Sequence, residues 1–310
     1  MKEWGRLGRL GYVILDLEWN GTYCRRLNGF INEIIEIGAV RVADDLTLED
    51  TFTLVVRPQI GKKLSSKVQS LTNISQEELD SGAFFLRAMR QFQKFVGDST
   101  VLTWGTSDIL ALMENQRYYT GSDRIPWLTQ YLDLQDYCQK RMNYDTGKQM
   151  GLGTAAALLG IAQEGMEHHR ALDDSLLALA CLRHAGMDET LWASLVQDAG
   201  ISAFYDKMGF KTVILCDINH PRIHPWDMWF VCRRCGVRAI QKTEWELHNK
   251  AFRAQFTCGC CQDTFLGRVQ FKLKYEGLFV RKKALPVPAP SEADAEKAIS
   301  DNKTQVEKAE

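Results

Sequence analysis

The run GYVILDLEWN at residues 11–20 has the composition of a buried strand, yet two carboxylates, Asp16 and Glu18, interrupt its end. Side chains two apart on a strand share a face, so both acids lie on the side of Ile14, with Val13 and Leu15 on the other. Two carboxylates side by side repel and lose hydration unless something positive sits between them. A divalent cation is the simplest such partner, and hard oxygen ligands favour magnesium or manganese. A strand end open to water would carry the same pair without any function, so the pair alone leaves both readings open.

Residues 11–17, 31–42 and 50–57 read as strands, the last two joined by the polar segment 43–49, which predicts an antiparallel meander. From Ser65 the pattern turns helical. Ser75 with Glu78 forms a candidate capping box, and Phe84, Phe85, Ala88, Met89, Phe92 and Phe95 recur at helical spacing. A short strand at 101–104 precedes a helix at 107–118, and 128–134 supplies a further strand. Helices are expected at 135–142, 152–160, 171–185 and 188–205, with Gly160 and Gly186 as stops. Strands first, then strands alternating with helices, indicate an α/β fold with a mixed sheet covered by helices over 1–206. Pro221 and Pro225 mark 207–227 as a connector, 228–283 reads as a small β module, and the Pro/Ala/Glu/Lys-rich tail 284–310 reads as disordered.

Hydrophobic residues make up 45% of the 310, which suits a sizeable core. No stretch approaches the roughly 20 apolar residues of a membrane span, and residues 1–20 lack a signal-peptide pattern, so a cytoplasmic protein without a membrane partner is expected. Of nine cysteines, five (Cys232, Cys235, Cys258, Cys260, Cys261) fall in one short window, which suits metal binding in a reducing compartment better than disulfides. Cys232 with Cys235 and Cys258 with Cys261 make two Cys-x2-Cys knuckles 22 residues apart, the pattern of a four-cysteine zinc ribbon holding one structural zinc. Cys260 could replace a neighbour as ligand. Cys216, His220 and His224 form a weaker second set, since Pro221 and Pro225 break any helix that would align the histidines. Residues 211–283 carry 14 Lys/Arg against 6 Asp/Glu, whereas 1–210 carry 21 against 27. A basic module after an acidic one suits a polyanion for the former and cations for the latter. Trp226, Trp229, Phe230 and Trp245 among those cations fit a nucleic-acid grip, with a ribbon for protein contacts as the alternative.

Two later stretches join the first pair of acids. VLTWGTSD at 101–108 leaves a strand through a glycine turn and places Asp108 on the first helical turn. EHHRALDDSLLA at 167–178 opens a helix with Asp174 off its apolar side and His169 about one turn earlier. Each acid alone has a local explanation. Together, and in this order, they resemble the DEDDh branch of the 3'-5' exonucleases, the superfamily of proofreading exonuclease subunits, ribonuclease T and oligoribonuclease. The matching residues are Asp16, Glu18, Asp108, and His169 with Asp174. EIIEIGAV at 33–40 is similar to the family's second strand and LTNI at 71–74 to its Leu-Thr-Gly-Ile segment. GLGTAAALLGI at 151–161, followed by HHRALDD, is nearest the histone-mRNA exonuclease-like branch.

The resemblance, over residues 10–186, implies a ribonuclease H-like mixed five-stranded sheet flanked by helices. It also implies two Mg2+ or Mn2+ ions held by Asp16, Glu18, Asp108 and Asp174, and His169 as general base. The substrate would be the 3' end of nucleic acid, with single-stranded RNA favoured over DNA, and the products nucleoside 5'-monophosphates. An idle exonuclease fold serving as a nucleic-acid adaptor is the alternative. Leu17, Trp19, Asn20, Thr72 and Trp104 are candidate substrate contacts, and Phe30 is a further stacking candidate. The sequence departs from the family where Asn20, preceded by the bulky Trp19, replaces a small hydroxyl residue and in the insertion-like segment 21–29, both bearing on substrate preference, and more mildly where Asn73 replaces glycine, since asparagine also tolerates unusual backbone angles.

Overall fold

The computed structural model describes residues 11–162 and 170–287. The chain divides between Gly209 and Phe210 into two compact units. No helix among the described residues is long and apolar enough to cross a membrane.

In the first unit the strands are β1 (Tyr12–Cys24), β2 (Gly29–Val42), β3 (Leu48–Arg57), β4 (Ala83–Phe84), β5 (Thr100–Thr103), β6 (Gln130–Asp133) and β7 (Gln197–Asp198). Interspersed are α1 (Ser66–Thr72), α2 (Gln76–Ser81), α3 (Phe85–Val96), α4 (Ser107–Thr120), α5 (Leu134–Arg141), α6 (Leu152–Leu158), α7 (Ala171–Ala185), α8 (Glu189–Leu195) and α9 (Ser202–Gly209). The sheet order is β4-β3-β2-β1-β5-β6-β7. Its five central strands form the ribonuclease H-like mixed sheet: β1, β2 and β3 are antiparallel neighbours, and β5 and β6 run parallel to β1. Two-residue strands close each edge.

Alternation along β1 divides the core in two. Val13, Leu15 and Leu17 join a cluster with Phe85, Phe92, Ile109 and Leu112, from α3 and α4. Tyr12 and Ile14 join Leu134, Ala155, Leu177 and Leu182, from α5, α6 and α7. Each fully buried Val, Leu, Ile or Phe among them stabilises the fold by about 1.5–3 kcal/mol. Local signals agree with this packing: Ser75 and Glu78 form the expected capping box, and Asn73 ends α1 in the left-handed region at φ 54°. Phe84, placed by periodicity with the α3 core, instead sits in β4 and is 51% exposed.

The single helix expected over 188–205 is broken. Val196 turns extended, Gln197 and Asp198 pair with Tyr131 and Gln130 of β6, and the Asp198 carboxylate accepts the Gly200 N–H at 2.8 Å. Edge pairing and that turn outweigh helical propensity here.

The second unit holds β8 (Val213–Leu215), a 3-10 turn at Pro225–Met228, β9 (Ile240–Gln241), β10 (Glu246–His248), β11 (Ala251–Thr257), β12 (Thr264–Lys274) and β13 (Gly277–Leu285). They form one six-stranded sheet around Phe230, Phe252, Phe256, Phe265, Val269 and Phe271. Two sequence readings change as a result. The segment 207–227 contributes β8 to this sheet, because Val213–Leu215 pairs with Leu273–Phe271. The small β module read from the cysteine spacing also has more than a zinc site to hold it, since it has an aromatic core of its own. The tail expected to be disordered from 284 is ordered at its start, since Ala284 and Leu285 lie in β13, and residues 288–310 lie outside the described residues.

Candidate active site

Directly opposed residues of an antiparallel pair share a face. Asp16 lies opposite Gly38 and Glu18 opposite Glu36, so these four crowd one side of β1 and β2. Past Glu18 the register shifts by one residue of β2. Helix α7 docks on this face by its first turn. The Arg170 guanidinium straddles the Glu36 carboxylate (Nη2 to Oε1 2.6 Å, Nε to Oε1 3.1 Å), and Glu36 also accepts the Ala171 N–H at 3.1 Å. The Ser175 hydroxyl donates to the Gly38 carbonyl at 3.0 Å. Gly38 itself admits the helix: a Cβ there would lie 2.1 Å from backbone atoms of Ala171 and Leu172.

This docking brings Asp174 to Asp16 and Glu18, with carboxylate oxygens of the three within 4.8 Å of one another. Asp108, on the first turn of α4, is 4% exposed, and its Oδ1 accepts the Leu17 N–H at 3.1 Å, between the two strand acids in sequence. His169 lies outside the described residues. The sequence reading missed Glu36, Gly38, Arg170 and Ser175. A signal existed, an acid and a glycine two apart in the otherwise apolar run 34–40, but its meaning depends on which helix crosses there.

Electrostatics follow from crowding. Burial, then the charges of Asp108, Asp174, Glu18 and Glu36, hold the Asp16 carboxyl well above the usual carboxylate range. Burial, then Asp174, Glu36 and Asp108, raise Glu18 from 4.5 to about 8 against the opposing pull of Arg170. Burial lifts Asp108 to about 7 despite the N–H of Leu17. Acids that resist ionisation until a positive charge arrives, converging with hard oxygen donors, fit one or more magnesium-like cations.

The candidate substrate contacts surround this cluster in different ways. Leu17 is core, 3% exposed. Asn20 is buried, donating to Lys63 O at 3.2 Å and accepting from Ser65 N at 3.3 Å, so its amide ties β1 to the loop before α1. That loop is held from below by Glu33, whose carboxylate accepts the N–H groups of Ile60 and Gly61 at 2.9 and 2.8 Å. Thr72 is buried, its hydroxyl donating to Val68 O at 2.9 Å. Trp19 and Trp104 are half-buried against the two core clusters, and the Trp104 indole donates to Met150 O at 2.9 Å. Phe30 is 76% exposed and contacts Tyr23, ring centres 5.6 Å apart. Residues 21–29, an apparent insertion in the sequence, prolong the β1–β2 hairpin down to Cys24 opposite Gly29.

In the second unit, Cys232, Cys235, Cys258 and Cys261 bring their sulfurs within 4.8 Å of one another. The closest pairs are Cys232 with Cys261 at 3.4 Å and Cys235 with Cys258 at 3.3 Å. Tetrahedral zinc with bonds of about 2.3 Å would separate sulfurs by about 3.8 Å, so the set fits. Backbone N–H groups of Cys261 and Cys260 help hold the Cys258 thiol down to about 6, which favours a metal-binding thiolate. Cys260 is exposed and outside the group, and Cys216, His220 and His224 gather into no such group among the described residues.

The exonuclease family model of the RNase T type matches residues 13–182. The chain is similar to the probable 3'-5' exonuclease KapD of Bacillus subtilis, 31% identical over 183 residues, covering 57% of this chain and 85% of that protein. It is also similar to the PolC-type DNA polymerase III of Clostridium perfringens, 28% identical over 171 residues, covering 53% of this chain but 10% of the polymerase. A solved structure described as 3'-end specific recognition of histone mRNA stem-loop by 3'-exonuclease shares 23% identity, covering 56% of this chain and 80% of that one, with a TM-score of 0.48.

Proposed function

We propose that this chain, which belongs to the RNase T exonuclease family and is a hydrolytic 3'-5' exonuclease of the DEDDh type, releases nucleoside 5'-monophosphates from single-stranded RNA in preference to DNA. The observation that carries the reading is the convergence of Asp16, Glu18 and Asp174 from β1 and α7. Enzymes of this type use divalent metal ions. Two Mg2+ or Mn2+ ions would activate the attacking water and stabilise the leaving 3'-oxygen. Asp16, Glu18 and Asp174 would hold one, and Asp108 with Asp16 the other. Arg170, by neutralising Glu36, keeps that neighbouring acid from competing for the ions. His169 would be the general base that takes the proton from the attacking water.

The match of residues 151–161 and 168–174 to the histone-mRNA exonuclease-like pattern supports RNA as substrate. In the second unit, one zinc on the four cysteines organises a basic β module that holds nucleic acid. The test is digestion of matched 5'-labelled single-stranded RNA, single-stranded DNA and duplex, each with a free or blocked 3' end. Stepwise shortening of RNA from a free 3' end with magnesium or manganese is expected. Absence of any nucleotide release would overturn the reading in favour of a nucleic-acid adaptor, and faster loss of DNA would overturn its RNA preference.

A further inference from the structure

One face of the second sheet packs on its core and the other does not. Along β12, Phe265, Val269 and Phe271 are buried and alternate with Arg268, Gln270 and Lys272, which are not. The latter set meets its neighbours in register. Arg253 of β11 lies opposite Arg268, and Arg268 lies opposite Lys283 of β13. One step along, Gln270 faces Arg281, and Lys272 faces Phe279. Opposed residues share a face, so three neighbouring strands line up cations in a row, with more cations beside it.

Such a row is unfavourable by itself, because like charges directly opposite one another in a sheet repel. Nothing among the described residues neutralises it: no ion pair involves Arg253, Arg268, Arg281 or Lys283. The Nε of Arg253 is buried without a hydrogen-bond partner. Glu246 is opposite Arg253 at one end of the row, which leaves Arg268 and Lys283 facing only other cations. Beside the row, Phe279 is 46% exposed, with the Lys274 ammonium 4.5 Å from its ring centre.

The geometry points to a binding face for single-stranded nucleic acid on β11, β12 and β13, centred on Arg253, Arg268 and Lys283, with Phe279 stacking on a base. Rows about 7 Å apart and strands about 4.8 Å apart form a flat lattice of charge that an extended polyanion can follow. An exposed ring among the cations selects a single strand, because an unpaired base offers it a free face. Lys282, one residue from Lys283, points to the other side, where it donates to Trp226 O and Trp229 O. The identity of the polymer rests on the exonuclease reading above; the unneutralised row does not. A strand held here is tethered to the enzyme, so long substrates are used at lower KM than short ones.

The test measures binding of a fluorescein-labelled 20-nucleotide single strand to the full chain carrying Asp16→Ala, over a range of salt. Arg268→Gln with Lys283→Gln should weaken binding about tenfold and make the log–log salt dependence shallower by about 1.4, at about 0.7 per phosphate. Phe279→Ser should weaken binding about fivefold or more without changing that slope. Arg268→Lys with Lys283→Arg should restore it. In the otherwise wild-type chain, Arg268→Gln with Lys283→Gln should raise KM for a 20-mer and leave a trimer unaffected. Should the double variant melt early, exposed Lys283→Gln alone serves, with a slope change of about 0.7. Unchanged affinity and slope, or tighter binding of duplex than of single strand, would overturn the proposal. A chain that binds through this row yet releases no nucleotide would sustain the proposal and overturn only the exonuclease reading.

Discussion

Asp16, Glu18 and Asp174 come from a 13-residue strand and a 15-residue helix backed by the hydrophobic clusters of the first unit, whereas Cys232, Cys235, Cys258 and Cys261 all stand in turns or at a strand end. The carboxylates are forced together by packing that exists without them: Gly38 admits α7, Glu36 and Ser175 fix its first turn, and the acids absorb the repulsion. The thiols have no such scaffold. Their knuckles rest on a few backbone bonds, such as Cys232 N to Val237 O and Cys258 N to Asp263 O, both 2.8 Å. A metal in the first site therefore relieves strain that the fold already bears, while a metal in the second supplies part of the folding energy.

Removing proposed ligands from each site should separate these roles. Asp16→Ala is expected to lower nucleotide release by about a thousandfold or more. In the metal-free protein it should leave the melting temperature equal or higher, since it deletes one of several mutually repelling carboxylates. A melting temperature lowered as much as by a core truncation would break the comparison. Cys232→Ser with Cys235→Ser should do the reverse. Zinc measured by atomic emission falls from one per chain to none, and limited proteolysis cuts beyond residue 210 while the first unit persists. The cost should stay below the roughly 10–16 kcal/mol of zinc in isolated fingers, because the aromatic cluster around Phe230 and Phe256 remains.

A pH series on the first unit's site tests the same contrast. Glu18 has its folded pKa raised from 4.5 to about 8, so between those values the native state binds more protons than the unfolded one. Stability of the protein dialysed free of magnesium and manganese should therefore fall as pH rises from about 4.5 to about 8. Added magnesium should flatten or invert that slope, as followed by denaturant midpoints at each pH. A slope of the opposite sign without metal would mean that the acids are neutralised by the protein itself.

Much of this was legible in the chain. The alternation of Val13 and Leu15 against Ile14, Asp16 and Glu18 reports two packed faces because strand periodicity is local. The capping box at Ser75 was equally plain, being set within four residues. What stayed hidden depends on partners distant in sequence. Glu36 acquires meaning only when Arg170, 134 residues away, lies on it, and Asn20 only when residues 63 and 65 come within hydrogen-bond reach. The split between α8 and α9 was hidden for a related reason: apolar periodicity ran on through 188–205, and the edge of β6 decided where the helix stopped. The cation row of the second sheet was visible as composition and not as a row, since registers among β11, β12 and β13 join residues 15 apart.

Positioning residues should have smaller effects than ligands, and their order sharpens the claim that packing makes the acidic site. Gly38→Ala is expected to cost about 1–3 kcal/mol in denaturant unfolding, because its Cβ pushes α7 off the sheet. Activity should fall with it, in proportion to weakened magnesium affinity. Ser175→Ala is the mildest change: it removes a buried hydroxyl whose one observed bond is to Gly38 O, for about 1 kcal/mol. No void large enough for water is created, and Gly38 keeps its place opposite Asp16 in the sheet. If Asp174 is held mainly by the helix entering at Gly38, Ser175→Ala should raise the magnesium concentration for half-maximal activity only slightly, by less than Gly38→Ala. A larger metal defect from Ser175→Ala than from Gly38→Ala would show that a single hydrogen bond, and not the close backbone approach, sets the position of the third carboxylate.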